Sequence, residues 1–398
     1  MSAQGASTPP SEAGAGHGSA HGSVGHAEGD VRGWADGTSD PNAVTRDGPV
    51  SSRGAEQALT GQADGRRKRG DKNAVVPDAE FTSYYGRPIL KASPWEHDIP
   101  AYLFMGGVAA GSSLLAAGAD LSGRPALRRT GRLGAIVALS LSMGALVHDL
   151  GRPERFYNML RIAKPTSPMS VGTWILTAYG PFAGLAATAE LTGLLPRRLA
   201  WAGPLVRWAG RPAGVVAAVV APAVASYTAV LLTDTATPTW HDAHRHLPFV
   251  FVGSASAASG GLGMLGAPVH EAAPARRLAV AGALLELGVE HHMERAMGIT
   301  AEPLHLGTAG RLMRASKALT VAGTLGTLLL GSRSRVGAAL SGAALLAGSA
   351  CLRFAVFDAG QASARDPKYV VVPQRARVAA RGRTRSTPDG QSSVGQQP

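Results

Sequence analysis

The sequence predicts an all-α membrane protein with eight transmembrane helices, preceded by a disordered N-terminal region. Eight apolar segments lie between residues 98 and 354, and each is close to the roughly 20 residues needed to cross a bilayer core of about 30 Å. They lack the polar stripe that a water-soluble helix shows every 3.6 residues. The chain is 45% hydrophobic, yet large apolar side chains are almost absent before residue 80.

The N-terminal region differs sharply in composition from the rest. Residues 1–80 consist mainly of Gly, Ser, Ala, His and Asp, and such a segment cannot bury enough apolar surface to offset the entropy lost on ordering. No charged start followed by a short apolar stretch is present, so no cleavable signal peptide is expected. The predicted organisation is a disordered region at 1–80, a pre-membrane segment at 81–97, a membrane domain at 98–360 and a basic C-terminal tail at 361–398.

The eight segments follow one another with short connections. They lie at 98–119, 131–148, 170–194, 212–233, 247–268, 275–293, 311–331 and 335–354. Gly107 and Gly111 are four residues apart in the first segment, a spacing that lets helices approach closely in lipid. Pro165 and Pro168 exclude a helix before the third segment, and Ser170 is the expected N-cap of that helix.

The connections fall on two sides of the predicted membrane domain. An even number of spans places both tails on one side, here side A. Side A has the loops 149–169, 234–246 and 294–310, and side B has the loops near 120–131, 195–211, 269–274 and 332–334. The side-B loops are short and rich in Arg, so the positive-inside rule predicts that side B is cytoplasmic, whereas the basic tails argue for side A. Either way, a multi-pass protein of the inner (cytoplasmic) cell membrane is expected.

Charge and cysteine content exclude several function classes. The formal net charge is +12, but the basic residues lie in short loops and tails, which is typical of contact with a lipid bilayer and not with nucleic acid. Cys351 is the single cysteine, so the chain can form no internal disulfide and no Cys-rich iron–sulfur or zinc site.

Residues suited to proton-coupled chemistry are concentrated on side A. His97 and Asp98 precede the first span, His148 and Asp149 end the second, and Tyr227 lies near the end of the fourth. Histidine titrates near neutral pH, and Asp or Tyr can hydrogen-bond a carbonyl or hydroxyl group. Histidine, aspartate and tyrosine also serve as anchors at membrane surfaces. Their concentration on one side favours a working face there.

Carboxylates within the apolar spans indicate a second function. Glu286, Glu290 and Glu294 are four residues apart, so they share one face of the sixth span, and Glu190 lies in the third span. An intramembrane carboxylate costs about 2.5–3.5 kcal/mol on insertion scales. These four residues are therefore a predicted proton path, and the alternative is that they are protonated or arginine-paired contacts between helices.

Two stretches carry a family resemblance. They are "DIPAYLFMGGVAAGSSLLAA", which opens the first span, and "HDLGRPERFYNMLRIAKPTSPMSVGTWIL", which joins the second span to the third. Both resemble the integral membrane subunits of the NrfD/polysulfide-reductase family, in the same order along the chain. The resemblance is strongest over residues 84–180 and continues as a pattern of spans to about residue 360.

The resemblance implies an architecture and a function. The eight helices are expected to form two four-helix bundles. The chain is expected to be the quinone- or quinol-reactive subunit of an oxidoreductase complex that resembles polysulfide, formate or nitrite reductases of anaerobic respiration. Menaquinone or ubiquinone would be its substrate, and the chain itself would hold no haem or iron–sulfur cluster. The implied partners are a ferredoxin-like subunit with four iron–sulfur clusters and a molybdenum or tungsten catalytic subunit.

The resemblance also assigns a quinone site on side A. Its residues are His97, Asp98, Tyr102, His148, Asp149, Arg152 and Tyr227. Three other functions stay open from the sequence. A di-haem cytochrome b anchor would need histidine pairs facing each other across a bundle, a secondary transporter would need matched broken helices in two inverted halves, and a passive anchor would need no quinone site.

Overall fold

The described part of the chain is entirely helical. The structure, a computed structural model, describes residues 88–194 and 201–385, and these contain no β-strand. The predicted disordered region at 1–80 lies outside the described residues, as do residues 81–87 and 386–398. The side-B arginines at 197 and 198 also lie outside them.

Ten α-helices follow one another within the described residues. They are α1 Asp98–Leu121, α2 Pro125–Asp149, α3 Pro168–Glu190, α4 Gly203–Thr233, α5 Pro238–Asp242, α6 Leu247–Gly266, α7 Ala273–Met297, α8 Gly307–Leu329, α9 Arg335–Arg365 and α10 Lys368–Arg385. Short 3-10 helices lie at Pro153–Arg161, Thr192–Leu194 and Gly298–Leu304.

Each predicted span coincides with one long helix. Five of these, α1, α2, α4, α6 and α9, are long and apolar enough to cross a membrane. The other three, α3, α7 and α8, are similar in length but are not among the helices that are apolar enough to cross. The positions of the helices are thus as predicted, whereas the number of crossings stays a prediction.

Proline residues set most of the helix starts. A proline occupies the first or second position of α2 to α7, where its missing N–H is not needed for a helical hydrogen bond. The predicted cap at Ser170 is wrong, because α3 begins at Pro168 with Ser167 before it. The Ser170 hydroxyl instead donates to the carbonyl of Ile162 at 2.9 Å and so fastens the preceding loop to α3.

Helix α1 is the central element of the packing. It contacts α2, α4, α6 and α9, and further close pairs are α3 with α4, α6 with α7, and α8 with α9. Gly111 of α1 lies so close to α6 that a Cβ atom there would be 2.9 Å from the Ala255 carbonyl oxygen. Gly261 of α6 meets Gly342 of α9 equally closely. The small residues therefore allow the close helix approach that the sequence predicted.

The side-A loops are joined to one another by hydrogen bonds. Gln361 at the end of α9 donates to the carbonyls of Ser93 and Trp95 at 3.1 and 3.2 Å. The Thr300 hydroxyl lies 2.8 Å from a carboxylate oxygen of Asp242. These contacts connect the segment before α1 with α9, and the α4–α6 connection with the α7–α8 connection.

Side B holds a network of ion pairs that the sequence analysis missed. Arg132 reaches Asp120 at 3.1 Å and Glu190 at 3.0 Å, and Arg128 reaches the same two carboxylates at 3.1 and 2.7 Å. This network joins the side-B ends of α1, α2 and α3. Two arginines that contribute to the positive charge of side B are therefore neutralised, and the predicted orientation stays untested.

The C-terminal tail begins later than predicted. The expected boundary at residue 360 lies inside α9, which continues to Arg365. Most of the tail then forms α10, attached at its start by the Lys368 ammonium group, which lies 2.7 Å from Glu302.

Candidate functional site

A small cavity lies on side A among the ends of α1, α2, α3 and α4. Its volume is about 40 Å³. Its lining residues are Trp95, Ile99, Tyr102, Leu146, Asp149, Leu150, Met159, Met169, Gly172, Thr173, Leu176, Tyr227 and Leu231. The walls are mainly apolar, and the charged or phenolic groups among them are one carboxylate and two phenols. Few polar groups in an apolar cavity are the usual composition of a small-molecule site.

Three of the predicted quinone-site residues meet at this cavity. Tyr102 comes from the first turns of α1, Asp149 from the last residue of α2, and Tyr227 from the last two turns of α4. Tyr102 and Tyr227 are 2% and 7% exposed, so both phenols are almost wholly removed from solvent. The backbone N–H of Glu96 donates to Asp149 Oδ1 at 3.3 Å and holds that carboxylate near the start of α1.

The glycine of the "SPMSVG" stretch gives Tyr227 its place. A Cβ atom at Gly172 would lie 1.9 Å from the Tyr227 ring, closer than any side chain tolerates. The hydroxyl end of the ring therefore packs directly against the bare backbone of α3, and the motif glycine has a steric reason.

Two further predicted residues form a pair at the rim. His148 Nδ1 and Asp98 Oδ2 are 2.7 Å apart, which links the end of α2 to the start of α1. The His148 side chain is 80% exposed, and neither residue lines the cavity. His148 is the neighbour of Asp149 in sequence, so the pair lies next to one of the residues that line the cavity.

The structure does not bring His97 and Arg152 to the cavity. His97 turns toward α9, where its Nε2 lies 3.5 Å from Asp358 and its ring stacks on Phe354. It lines a separate, open pocket of about 740 Å³ beside the α9 end. Arg152 is exposed in the loop after α2. The sequence did not reveal the position of His97, because it is adjacent to Asp98 in the chain but its side chain points in a different direction.

A second polar cluster lies among α6, α7, α8 and α9. Glu286 and Glu290 are 1% and 0% exposed. Lys317 of α8 lies 2.9 Å from Glu294 and 3.4 Å from Glu290, and the Thr320 hydroxyl lies 3.1 Å from Glu286. The three glutamates thus form one row, as predicted, with Lys317 at its side-A end.

A buried arginine extends this row into the protein. Arg353 of α9 is 0% exposed and donates to the carbonyl of Phe251 at 2.9 Å, while its guanidinium lies 3.7 Å from the centre of the Phe251 ring. Its charge also interacts with Glu286. The Nε and Nη1 groups of Arg353 and one oxygen of Glu286 have no hydrogen-bond partner among the described residues.

Glu190 does not belong to the glutamate row. It is the last residue of α3 and is paired with Arg128 and Arg132 on side B, whereas the row rises toward side A. The prediction that Glu190 shares a path with Glu286 is therefore corrected. The Glu190 carboxylate is buried because two guanidinium groups compensate its charge.

Two histidines form a further contact on side A, away from the cavity. The rings of His246 and His292 are 5.0 Å apart and nearly perpendicular. Burial, together with His292 and Arg245, lowers the pKa of His246 below its ordinary value. Among the described residues, His, Cys, Asp and Glu form no group of three or more that could hold a metal ion.

Several cavity and row residues were not found from the sequence. Trp95, Met159 and Met169 line the cavity, but a tryptophan near a membrane surface and single methionines give no distinct signal. Lys317 and Arg353 were also missed, although a charged residue inside an apolar span is a functional signal in itself.

The comparisons with known proteins agree with the motif analysis. Residues 90–308 match the family described as "Polysulphide reductase, NrfD". This range contains every residue that lines the cavity as well as the glutamate row. The comparison with curated proteins finds no match.

Proposed function

Because the chain belongs to the NrfD polysulphide-reductase family, we propose that it exchanges electrons between a membrane quinone and an iron–sulfur partner subunit. It is a multi-pass membrane protein and a membrane subunit of the kind found in reductase complexes. The observation that carries the proposal is the meeting of Tyr102, Asp149 and Tyr227 at one apolar cavity on side A.

The membrane arrangement that we infer has eight crossings. The alternating direction of the eight long helices supports it, since side-A and side-B contacts alternate along the chain. The helix pairs also support two bundles, α1–α4 and α6–α9, joined through α1, α6 and α9. Both tails of the membrane domain then lie on side A.

The chemistry of the cavity suits a quinone headgroup. A phenol O–H can donate a hydrogen bond to a quinone carbonyl, and a carboxyl group near water can deliver or accept a proton as that oxygen changes its charge. Tyr102 and Tyr227 supply the phenols, and Asp149 supplies the carboxyl group close to the rim pair of Asp98 and His148. The cavity is smaller than a headgroup, so Met159 and Met169 must move, which their flexible side chains allow.

Reduction of a quinone to a quinol needs a source of two electrons and a source of two protons. In the reducing direction, two electrons come from the iron–sulfur clusters of a ferredoxin-like subunit and two protons come from side-A water, which yields quinol; the opposite direction reverses both. A molybdenum or tungsten subunit would then carry out the substrate chemistry. The exposed Arg152, Arg155, Arg161 and Lys164 in the connection between α2 and α3 offer a basic surface to an acidic cluster protein.

Photoaffinity labelling tests the quinone site directly. The purified chain is irradiated with a naphthoquinone that carries an azido group on its headgroup, and the labelled peptides are identified by mass spectrometry. Labels are expected on peptides that contain Tyr102, Asp149, Gly172 or Tyr227, and excess menaquinone is expected to remove them. Labels spread over the lipid-facing surface, with no competition, would overturn the proposal.

A second candidate function is proton conduction through the glutamate row. The row of Glu294, Glu290 and Glu286 leads from Lys317 near side A to the buried Arg353, and these residues are too well buried to be surface anchors. Glu290 accepts no hydrogen bond among the described residues, and its closest charged neighbour is the Lys317 ammonium group at 3.4 Å, so a proton that reaches this carboxylate has one basic group to pass to or from. Glu190 is not part of this proposal.

Replacing Glu290 with Gln separates the two functions. Proton movement is followed with a pH-sensitive dye in vesicles that contain the purified complex. Glu290→Gln is expected to reduce quinone-coupled proton movement at least about tenfold, because the variant loses a group that carries the proton. Electron transfer in leaky vesicles is expected to persist. The control is Asp234→Asn, which changes an exposed carboxylate on side A. Equal proton movement in Glu290→Gln and the parent complex would refute the path.

A further inference from the structure

A second hollow, hereafter the α2–α3 groove, opens beside the cavity on the outer surface of the helices. It has a volume of about 220 Å³. Its lining residues are Leu139, Met143, Leu146, Val147, Leu150, Phe156, Met159, Leu160, Thr173, Leu176, Thr177 and Gly180. Of these lining residues, Phe156 and Leu160 are 44% and 43% exposed, so the hollow opens at the outer surface of α2 and α3. The groove therefore faces the bilayer.

The groove is continuous with the cavity. Leu146, Leu150, Met159, Thr173 and Leu176 line both. The cavity side of these residues carries the phenols and the carboxyl group, whereas the groove side carries none. A molecule with a polar head and an apolar chain would thus fit with its head in the cavity and its chain in the groove.

The groove offers a ligand no free hydrogen-bond donor among its side chains. Its two hydroxyl groups are already used: Thr173 donates to the Met169 carbonyl at 3.0 Å, and Thr177 donates to the Thr173 carbonyl at 2.8 Å. Both bonds lie within α3. The remaining lining side chains are hydrocarbon or thioether, so a saturated or isoprenoid chain is the ligand class that fits.

The 3-10 helix Pro153–Arg161 forms a cover over the side-A end of the groove. Phe156, Met159 and Leu160 turn toward it. The loop that follows is fastened to α3, because Ser170 Oγ and Trp174 Nε1 both donate to the Ile162 carbonyl, at 2.9 and 3.0 Å. The cover is thus fixed at one end, which explains why this basic loop carries so many apolar residues.

The dimensions suit a chain and not a compact solute. From Leu139 to Leu150 the groove follows α2 for about 16 Å at a rise of 1.5 Å per residue, which is roughly half of a bilayer core. Resting on the proposed function, we propose that the α2–α3 groove binds the first part of the quinone's isoprenoid tail. The substrate then reaches the cavity sideways from the bilayer, beneath the 3-10 helix.

The experiment fills the groove from α3. A Cβ atom at Gly180 would make an ordinary contact of 3.8 Å with Leu139, so Gly180→Ala fits, and Gly180→Leu projects into the groove. Thr177→Phe fills it from one turn away. The control is Gly144→Leu on α2, where nothing lies within 4 Å. Each purified complex is assayed with a long-tailed menaquinone and with a tail-less naphthoquinone.

Filling the groove is expected to affect only the tailed substrate. In Gly180→Leu and Thr177→Phe, KM for the long-tailed quinone is expected to rise at least about tenfold. Losing the contact between the groove and two methylene groups of the tail is enough to weaken binding by that factor. In the same two variants, KM for the tail-less quinone is expected to stay unchanged. In the control Gly144→Leu, KM is expected to stay unchanged for both quinones. An equal rise in KM for both quinones, or no rise for either, would overturn the proposal that the groove binds the tail, and it would not affect the proposed quinone site. No reaction of the parent complex with either quinone overturns both proposals.

Discussion

Replacing Asp149 with Asn is expected to slow quinone-linked electron transfer by about 10²–10⁴-fold, the usual contribution of a positioned proton donor or acceptor. The amide oxygen can still accept the Glu96 N–H that the carboxylate now binds at 3.3 Å, so the local fold is retained. What is lost is the ability to exchange a proton with the quinone oxygen. The rate is measured with a menaquinone analogue on the assembled complex.

Matched variants separate proton chemistry from general damage. Tyr227→Phe keeps the ring against Gly172 and removes only the hydroxyl, and a loss of at least about tenfold is expected. Tyr179→Phe removes an equally buried hydroxyl that donates to Ala109 at 2.8 Å, outside the cavity, and Asp234→Asn changes an exposed side-A carboxylate. Both controls are expected to keep the parent rate. Normal turnover in Asp149→Asn and Tyr227→Phe would place the site elsewhere.

Replacing Arg132 with Met is expected to cause the largest loss of stability. The Arg132 side chain is only 6% exposed and lies between Asp120 and Glu190, which are 12% and 8% exposed. Removing one member of a buried ionic network leaves an uncompensated charge and costs about 3–5 kcal/mol. Thermal unfolding of the purified chain in detergent measures the change.

The neighbouring arginine supplies the control for that variant. Arg129 is exposed on the same helix, and Arg129→Met is expected to shift the unfolding temperature little. The surviving fraction of Arg132→Met is expected to bind quinone normally, because the network lies on side B. Unchanged stability in Arg132→Met would mean that the ion pairs contribute nothing to holding α1, α2 and α3 together.

The sequence predicted the helices well because their signal is local. A run of about 20 apolar residues between polar turns is visible without any partner, and each of the eight runs is a helix in the structure. Helix starts were less accurate, as at Ser170, because Pro168 already sets the start of α3. The family assignment, carried by two stretches, is confirmed.

The site was predicted only in part because its residues depend on partners far along the chain. Tyr102 and Tyr227 line one cavity, and their role in quinone binding stays a prediction. His97 turns to Asp358 in α9, and no local pattern reveals that pairing. Glu190 looked like an isolated intramembrane acid because Arg128 and Arg132 are distant in sequence. Arg353 was overlooked because its span is otherwise apolar.

The central place of α1 has a consequence for how the protein is made. Every residue that lines the cavity lies between Trp95 and Leu231, yet α1 also contacts α6 and α9. Synthesis proceeds from the N-terminus, so the face of α1 with Gly107 and Gly111 stays open to lipid until α6 is inserted, and Gly107 gains its contact with Arg353 only when α9 follows. A nascent chain that stops after α4 therefore contains the whole cavity but exposes a glycine face to the membrane's proteases. Shielding of this face of α1 is thus tied to synthesis of the half of the domain that does not line the cavity.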